Sequence, residues 1–433
     1  MDQTGRHRTA AVGAGQAAGT ALPAAGRGLA LNAATAAARA EPAGAWRVVW
    51  ATFVALAVIF GVSYSFAAFF GALSSAFDAP RAEVALVFGL SGLVYFIGGL
   101  PAGLLADRFG PRRVCSAGML CIAAGLLVSS WAQQISTVYL GYGLGLGVGI
   151  ALVYTPAIAG VQPWFTHRRG LAAGIASAGI GAGTLVVPLL AQQALAVVDW
   201  RLCLQALAAG VLLLGLAATA CLQRAPAATA RAGAVVAGLS LRQALATPRF
   251  RWLYAMTVLA SPGMFIPFAH ASAAARDLGV PAAQAVGLVG LIGLGSLTGR
   301  FVIGALADRW GRARTLALAQ VAMGASYGLW AVAGGYPLMA LFALALGLSY
   351  GGIVSLMPAL CMDLFGARAV SAILGTLYTG AALGNLAGPW LAGAVFDRWH
   401  TYMPVILGSI ALQALATAAA WRLVPRAAPV AVA

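Results

Sequence analysis

One arginine stands inside an apolar stretch: Arg300, in Gly295-Ser-Leu-Thr-Gly-Arg-Phe-Val-Ile-Gly-Ala-Leu-Ala-Asp-Arg-Trp-Gly-Arg-Ala-Arg314. At ~1.5 Å per helical residue it lies about 12 Å from the polar end marked by Asp308. A guanidinium near the middle of a membrane helix costs roughly 2.5–3.5 kcal/mol on insertion scales. It therefore needs a partner or a water-filled cavity. Its planar, two-pronged donor set matches a carboxylate. The competing reading is a structural arginine bonded to backbone carbonyls or snorkelling to the interface. One cation compensates one negative charge, and a dicarboxylate would leave its second charge bare in low dielectric. The expected ligand is a small monocarboxylate, with aliphatic and aromatic lining for the remainder.

Hydroxyl and amide donors at similar depth complete the candidate site: Tyr64, Tyr154, Tyr350, Ser296 and Asn385. Each tyrosine serves almost equally well as a packing residue with an incidental hydrogen bond. Asn385, in Gly384-Asn-Leu-Ala-Gly388, also suits a helix–helix hydrogen bond. His270 titrates near neutrality when free, but a lone histidine in an apolar helix is more often hydrogen-bonded structure. Gly145-x-Gly147-x-Gly149 has glycine spacing like that of a phosphate loop. No strand precedes it, which argues against nucleotide binding. The five cysteines include no Cys-x-x-Cys and read as apolar packing residues. With no metal cluster and no nucleophile–base triad, neither an enzyme nor a cofactor is expected.

The elements that position these residues follow from composition. Of 433 residues, 61% are hydrophobic and 8% charged, against about 25% charged in soluble domains. Such a chain must face lipid. Twelve apolar runs of helix-spanning length cover 48–73, 83–106, 114–132, 136–161, 170–194, 201–222, 252–275, 283–307, 315–333, 336–362, 370–396 and 401–423. They are continuously apolar rather than alternating, so helices are expected, not a barrel.

The net charge of +16 comes from 26 arginines against 10 acids. With the N-terminus inside, 21 arginines fall on the inner side and Arg81, Arg201, Arg276 and Arg398 on the outer. That is the positive-inside pattern, with both termini cytoplasmic. It accounts for the charge better than nucleic acid does. Residues 1–45 read as a disordered cytoplasmic arm and 426–433 as a tail. The connection 224–251 reads as a cytoplasmic linker with a short interfacial helix. It separates six-helix halves at 46–223 and 252–425.

The halves are related. Gly103-xxx-Asp107-Arg108-Phe109-Gly110-Pro111-Arg112 matches Gly304-xxx-Asp308-Arg309-Trp310-Gly311-Arg312 at an offset of 201. Tyr154-Thr-Pro156 matches Leu356-Met-Pro358 at 202, and Phe165-x-x-Arg168 matches Phe365-x-x-Arg368 at 200. Three landmarks in one order indicate a duplication, a construction common among transporters. Arg300 has no copy, because its counterpart is Gly99.

The repeated turn resembles the signature of the major facilitator superfamily over about residues 46–425. A narrower match runs through Gly143-x-Gly145-x-Gly147-x-Gly149, Tyr154-x-Pro156, Trp164-Phe165-x-x-Arg168-Arg169-Gly170-Leu171-Ala172-x-Gly174 and Ala178-Gly179-x-Gly181-x-Gly183. With Tyr64-Ser65-Phe66 and Arg300, this resembles the monocarboxylate transporter branch, which includes oxalate–formate antiporter-like proteins. The resemblance implies an all-α membrane protein of twelve helices in two pseudo-symmetric halves. It also implies substrate-facing positions near Tyr64, Tyr154, Arg300 and Tyr350. For Asp107, Arg108, Arg112, Asp308, Arg309 and Arg312 it implies a gate joining the halves. Two departures stand out. Ala68 and Ser296 occupy places where mammalian-type members carry a lysine and an aspartate. The run 370–396 has no cation before Arg398.

The expected function is a monomeric secondary transporter of a small organic anion, with a proton as a possible co-substrate, in the bacterial inner membrane. An exporter of drugs or another neutral solute, and a non-transporting sensor, are the rival readings.

Overall fold

A computed structural model describes residues 42, 44–165, 168–224, 238–366 and 368–424. The arm expected over 1–45 lies almost wholly outside the described residues. So do 225–237 of the linker and the tail 426–433.

Twelve long helices run through the described residues: α1 Ala45–Phe77, α2 Arg81–Phe109, α3 Pro111–Ser130, α4 Ile135–Trp164, α5 Arg169–Leu195 and α6 Trp200–Ala220, then α7 Pro248–Asp277, α8 Ala282–Trp310, α9 Arg312–Ala331, α10 Tyr336–Phe365, α11 Val370–Trp399 and α12 Met403–Trp421. Eleven are long and apolar enough to cross a membrane. The twelfth, α9, carries Arg312 and Arg314 in its first turn and packs against α10 and α12. Several helices outrun the apolar runs by a turn, because a bilayer's interfacial layers accept polar helix ends. Before α7 a six-residue helix, Leu241–Ala246, starts with a capping box between Ser240 and Gln243.

The two polar turns have the same backbone. Gly110 ends α2 at φ 91° and donates its N–H to the Ala106 carbonyl. Gly311 ends α8 at φ 81° and donates to Ala307. A side chain at either φ would be strained, so glycine recurs at both stops.

Between the halves, α2 packs on α11 and α5 on α8. Within the second half, α8 and α10 come closest. Gly299 faces the backbone of Leu348, and Gly351 faces that of Ser296. A Cβ at Gly299 would occupy the space of the Leu348 carbonyl. This seam fixes α8 against α10 one residue before Arg300. Gly299→Ala is therefore expected to destabilise the fold by about 1–3 kcal/mol. Gly328, on α9, has no atom near its would-be Cβ, and Gly328→Ala serves as the control in thermal melts. Equal melting temperatures for the two variants would contradict the seam.

Candidate functional site

Arg300 projects from α8 into the interior and is only 6% exposed. Its Nε and Nη2 have no hydrogen-bond partner, and it forms no ion pair among the described residues. The ionisable groups that act on it most strongly are four phenols: Tyr350, Tyr154, Tyr64 and Tyr378. One turn before it, the buried Ser296 also leaves its Oγ unpaired. A bare buried guanidinium is unstable by itself, and its free donors call for an anion.

Beside it lies a cavity of about 70 Å³. The first half supplies Phe60, Tyr95, Phe96, Tyr154 and Ile180 to its wall, and the second half supplies Thr257, Ser261, Gln320, Tyr350 and Tyr378 among others. A water needs about 10–15 Å³ of such space, so the cavity fits a few waters or a small solute. Three of the four phenols around Arg300 line it. Arg300 itself is not among the lining residues.

The residues expected from sequence separate into two groups. Arg300, Ser296, Tyr64, Tyr154 and Tyr350 come together. The Tyr64 and Tyr350 hydroxyls are 3.0 Å apart and tie α1 to α10. Tyr64 also stacks on Phe268 of α7, with ring centroids 4.1 Å apart. α1 can offer Tyr64 there because it breaks at Ser65, where Tyr142 of α4 binds the Val62 and Ser63 carbonyls. Asn385 does not join them. Its Nδ2 donates to the Phe88 and Gly89 carbonyls of α2, at 3.4 and 3.3 Å, and holds α11 to α2. Tyr378, Tyr95 and Gln320 also line the cavity, and the sequence did not single them out. Each is a single uncharged polar group in an apolar run, with no spacing pattern to mark it.

On the side away from the Asp107 and Asp308 turns, the halves are closed by stacked layers. Nearest the cavity are Tyr64, Phe268 and Tyr350. Next come Phe70, His270 and Tyr402. The outermost layer is ionic. Arg81, at the start of α2, binds Asp277 of α7 through two N–H···O contacts of 2.7 Å. It also donates to the Tyr402 hydroxyl at 2.8 Å and lies 3.7 Å over the Phe396 ring. Asp397 of α11 accepts from the backbone N–H groups of Arg81 and Ala82, capping α2 from the other half.

Hydrogen-bond direction fixes one ring proton of His270. The Pro389 carbonyl can only accept, so Nε2 carries a proton, at 2.8 Å. Nδ1 pairs with the Tyr402 hydroxyl at 2.9 Å, and the Tyr402 oxygen accepts from Arg81. Both ring nitrogens are thus engaged. Burial pushes the Tyr402 phenol up, and the nearby Arg81 opposes that shift.

On the opposite face the polar turns are open. Asp107, Arg108, Arg112, Asp308 and Arg309 are exposed. The Asp107 and Asp308 carboxylates bind no partner among the described residues. Arg312 pairs with Asp363 of its own half. Arg224 caps α2 through the Ala106 and Asp107 carbonyls.

A family model described as Major Facilitator Superfamily matches residues 51–305 and 252–433. Monocarboxylate transporter 13 of Bos taurus is 31% identical, over 84% of this chain and 86% of its own length. Monocarboxylate transporter 11 of Homo sapiens is 31% identical, over 82% and 77%. The chain belongs to the major facilitator superfamily, in its monocarboxylate transporter branch.

A crystal structure of a bacterial homologue of the human lysosomal transporter Spinster superposes with a TM-score of 0.66, covering 87% of this chain and 96% of that one. At 16% identity it supports the fold alone. As a superfamily member the chain is a multi-pass membrane transporter and not an enzyme. Its twelve helices are the superfamily's two pseudo-symmetric sets of six.

Proposed function

We propose that the protein carries a small monocarboxylate across the membrane by alternating access, with Arg300 as the carboxylate anchor. One observation carries this reading: a buried guanidinium with two unpaired nitrogens beside a cavity between the halves. Tyr64, Tyr154, Tyr350 and Ser296 are proposed to complete the polar shell. The aromatic and aliphatic wall would take the rest of the acid. The names of the relatives support the same substrate class.

The arginine distribution supports cytoplasmic termini, which puts Arg81 on the outer face. The described arrangement is then closed outward. In our reading the turns carrying Asp107, Arg108 and Arg112, and Asp308, Arg309 and Arg312, draw the halves together when the carrier faces outward, through charge pairs and helix ends. They stand apart in the inward-facing arrangement. A coupled proton would have to travel on the substrate–arginine pair, because Ser296 holds the neighbouring position and His270 is committed to structure. Thermal stabilisation of the purified protein by a panel of organic acids tests the proposal. Monocarboxylates should stabilise the wild type, and failure of all of them would refute it.

A further inference from the structure

Among the cavity-lining residues α9 contributes one, Gln320. It is fully buried, and neither its Oε1 nor its Nε2 has a hydrogen-bond partner. Other polar side chains around α7 are paired. Pro267, inside α7, has no N–H, which leaves the Gly263 carbonyl free for a side chain. Gln413 of α12 takes the Ala260 carbonyl, and Tyr327 of α9 takes that of Gly263. Ser261 bonds back to Thr257 within α7. Gln320 alone retains its whole amide, facing the cavity.

A buried amide with two empty positions is unfavourable unless something fills them. We propose that Gln320 is a specificity-determining residue that pairs with an uncharged hydrogen-bonding group on the substrate, beyond its carboxylate. This rests on the Arg300 reading and assigns the residue that would pair with a hydroxyl or oxo group on such an acid. The amide offers one acceptor and two donors, so it suits either group. It carries no charge, so it gives a second carboxylate no compensation. A plain alkanoate would leave it unpaired, which is the strongest form of discrimination a neutral pocket can exert.

The test is titration calorimetry on the full chain in lipid nanodiscs. Butanoate and pentanoate are compared with their hydroxy and oxo derivatives. In the wild type the derivatives should bind about tenfold or more tightly than the parent acids. In Gln320→Leu and Gln320→Met that ratio should fall to within about twofold, while the added loss from Arg300→Ala persists in both backgrounds. The empty Leu variant should also melt higher than wild type, whereas a merely structural glutamine would make it melt lower. A wild-type ratio near one overturns the inference without any variant, and so does an unchanged ratio in the variants. Either result would leave Arg300 as anchor. If the wild type binds none of the acids, the anchor fails, and Gln320 with it.

Discussion

Arg300→Ala is expected to weaken binding of every transported acid by about thirtyfold or more, and to abolish acid-dependent thermal stabilisation. Losing one partner of a buried, hydrogen-bonded charge pair typically costs about 2–5 kcal/mol, which converts to that range of affinity. Arg300→Lys keeps the charge but loses the planar two-pronged donor, and an intermediate loss of about tenfold is expected. Stability should move the other way. The empty protein holds a guanidinium with unpaired Nε and Nη2, and replacing an uncompensated buried charge by an apolar side chain of similar length relieves that penalty. Arg300→Met should therefore melt higher than the empty wild type while binding nothing. A variant that binds acids normally would exclude the anchor. One that melts lower would show the arginine to be structural.

The second large effect is expected at Arg81. Its removal breaks the paired contacts to Asp277, the bond to Tyr402 and the stack on Phe396. The ion pair is part-exposed, with side chains 21% and 36% accessible, so it is worth less than a buried one. With the ring contact added, ~1–2 kcal/mol of preference for closure on that face is a reasonable expectation, about 5–30-fold in the equilibrium. Arg81→Ala and Asp277→Asn should each lengthen the distance between spin labels at Ser75 and Leu278, two exposed positions at the ends of α1 and α7. The labels belong in a background freed of the five native cysteines. Unchanged distance distributions in both variants would show that the aromatic layers close this face unaided.

The fold was legible because a membrane leaves few options. Continuous apolar runs of spanning length can only be helices, and two copies of one glycine-stopped turn report the duplication. Arg300 was legible because its position is expensive. Tyr378 and Gln320 were not: a neutral polar group in an apolar run costs little enough to be common. Their roles depend on which neighbour is already satisfied, a fact that exists only after packing. The Arg81 cluster was hidden for another reason. Its partners lie 196 and 316 residues away, and each by itself looks like an ordinary polar helix end. Asn385 was ambiguous between site and contact, and the close approach of α2 to α11 leaves its amide within reach of backbone carbonyls.

Under the proposed cycle the unpaired charge on Arg300 would also set the pace of transport. An empty carrier that seals its centre must shut a bare cation away from water, whereas a loaded one seals a neutral pair. Under the proposed cycle the return trip without cargo is therefore the slow leg. Acid supplied on the far side should speed efflux from the near side, and the protein would exchange one anion for another faster than it moves either alone.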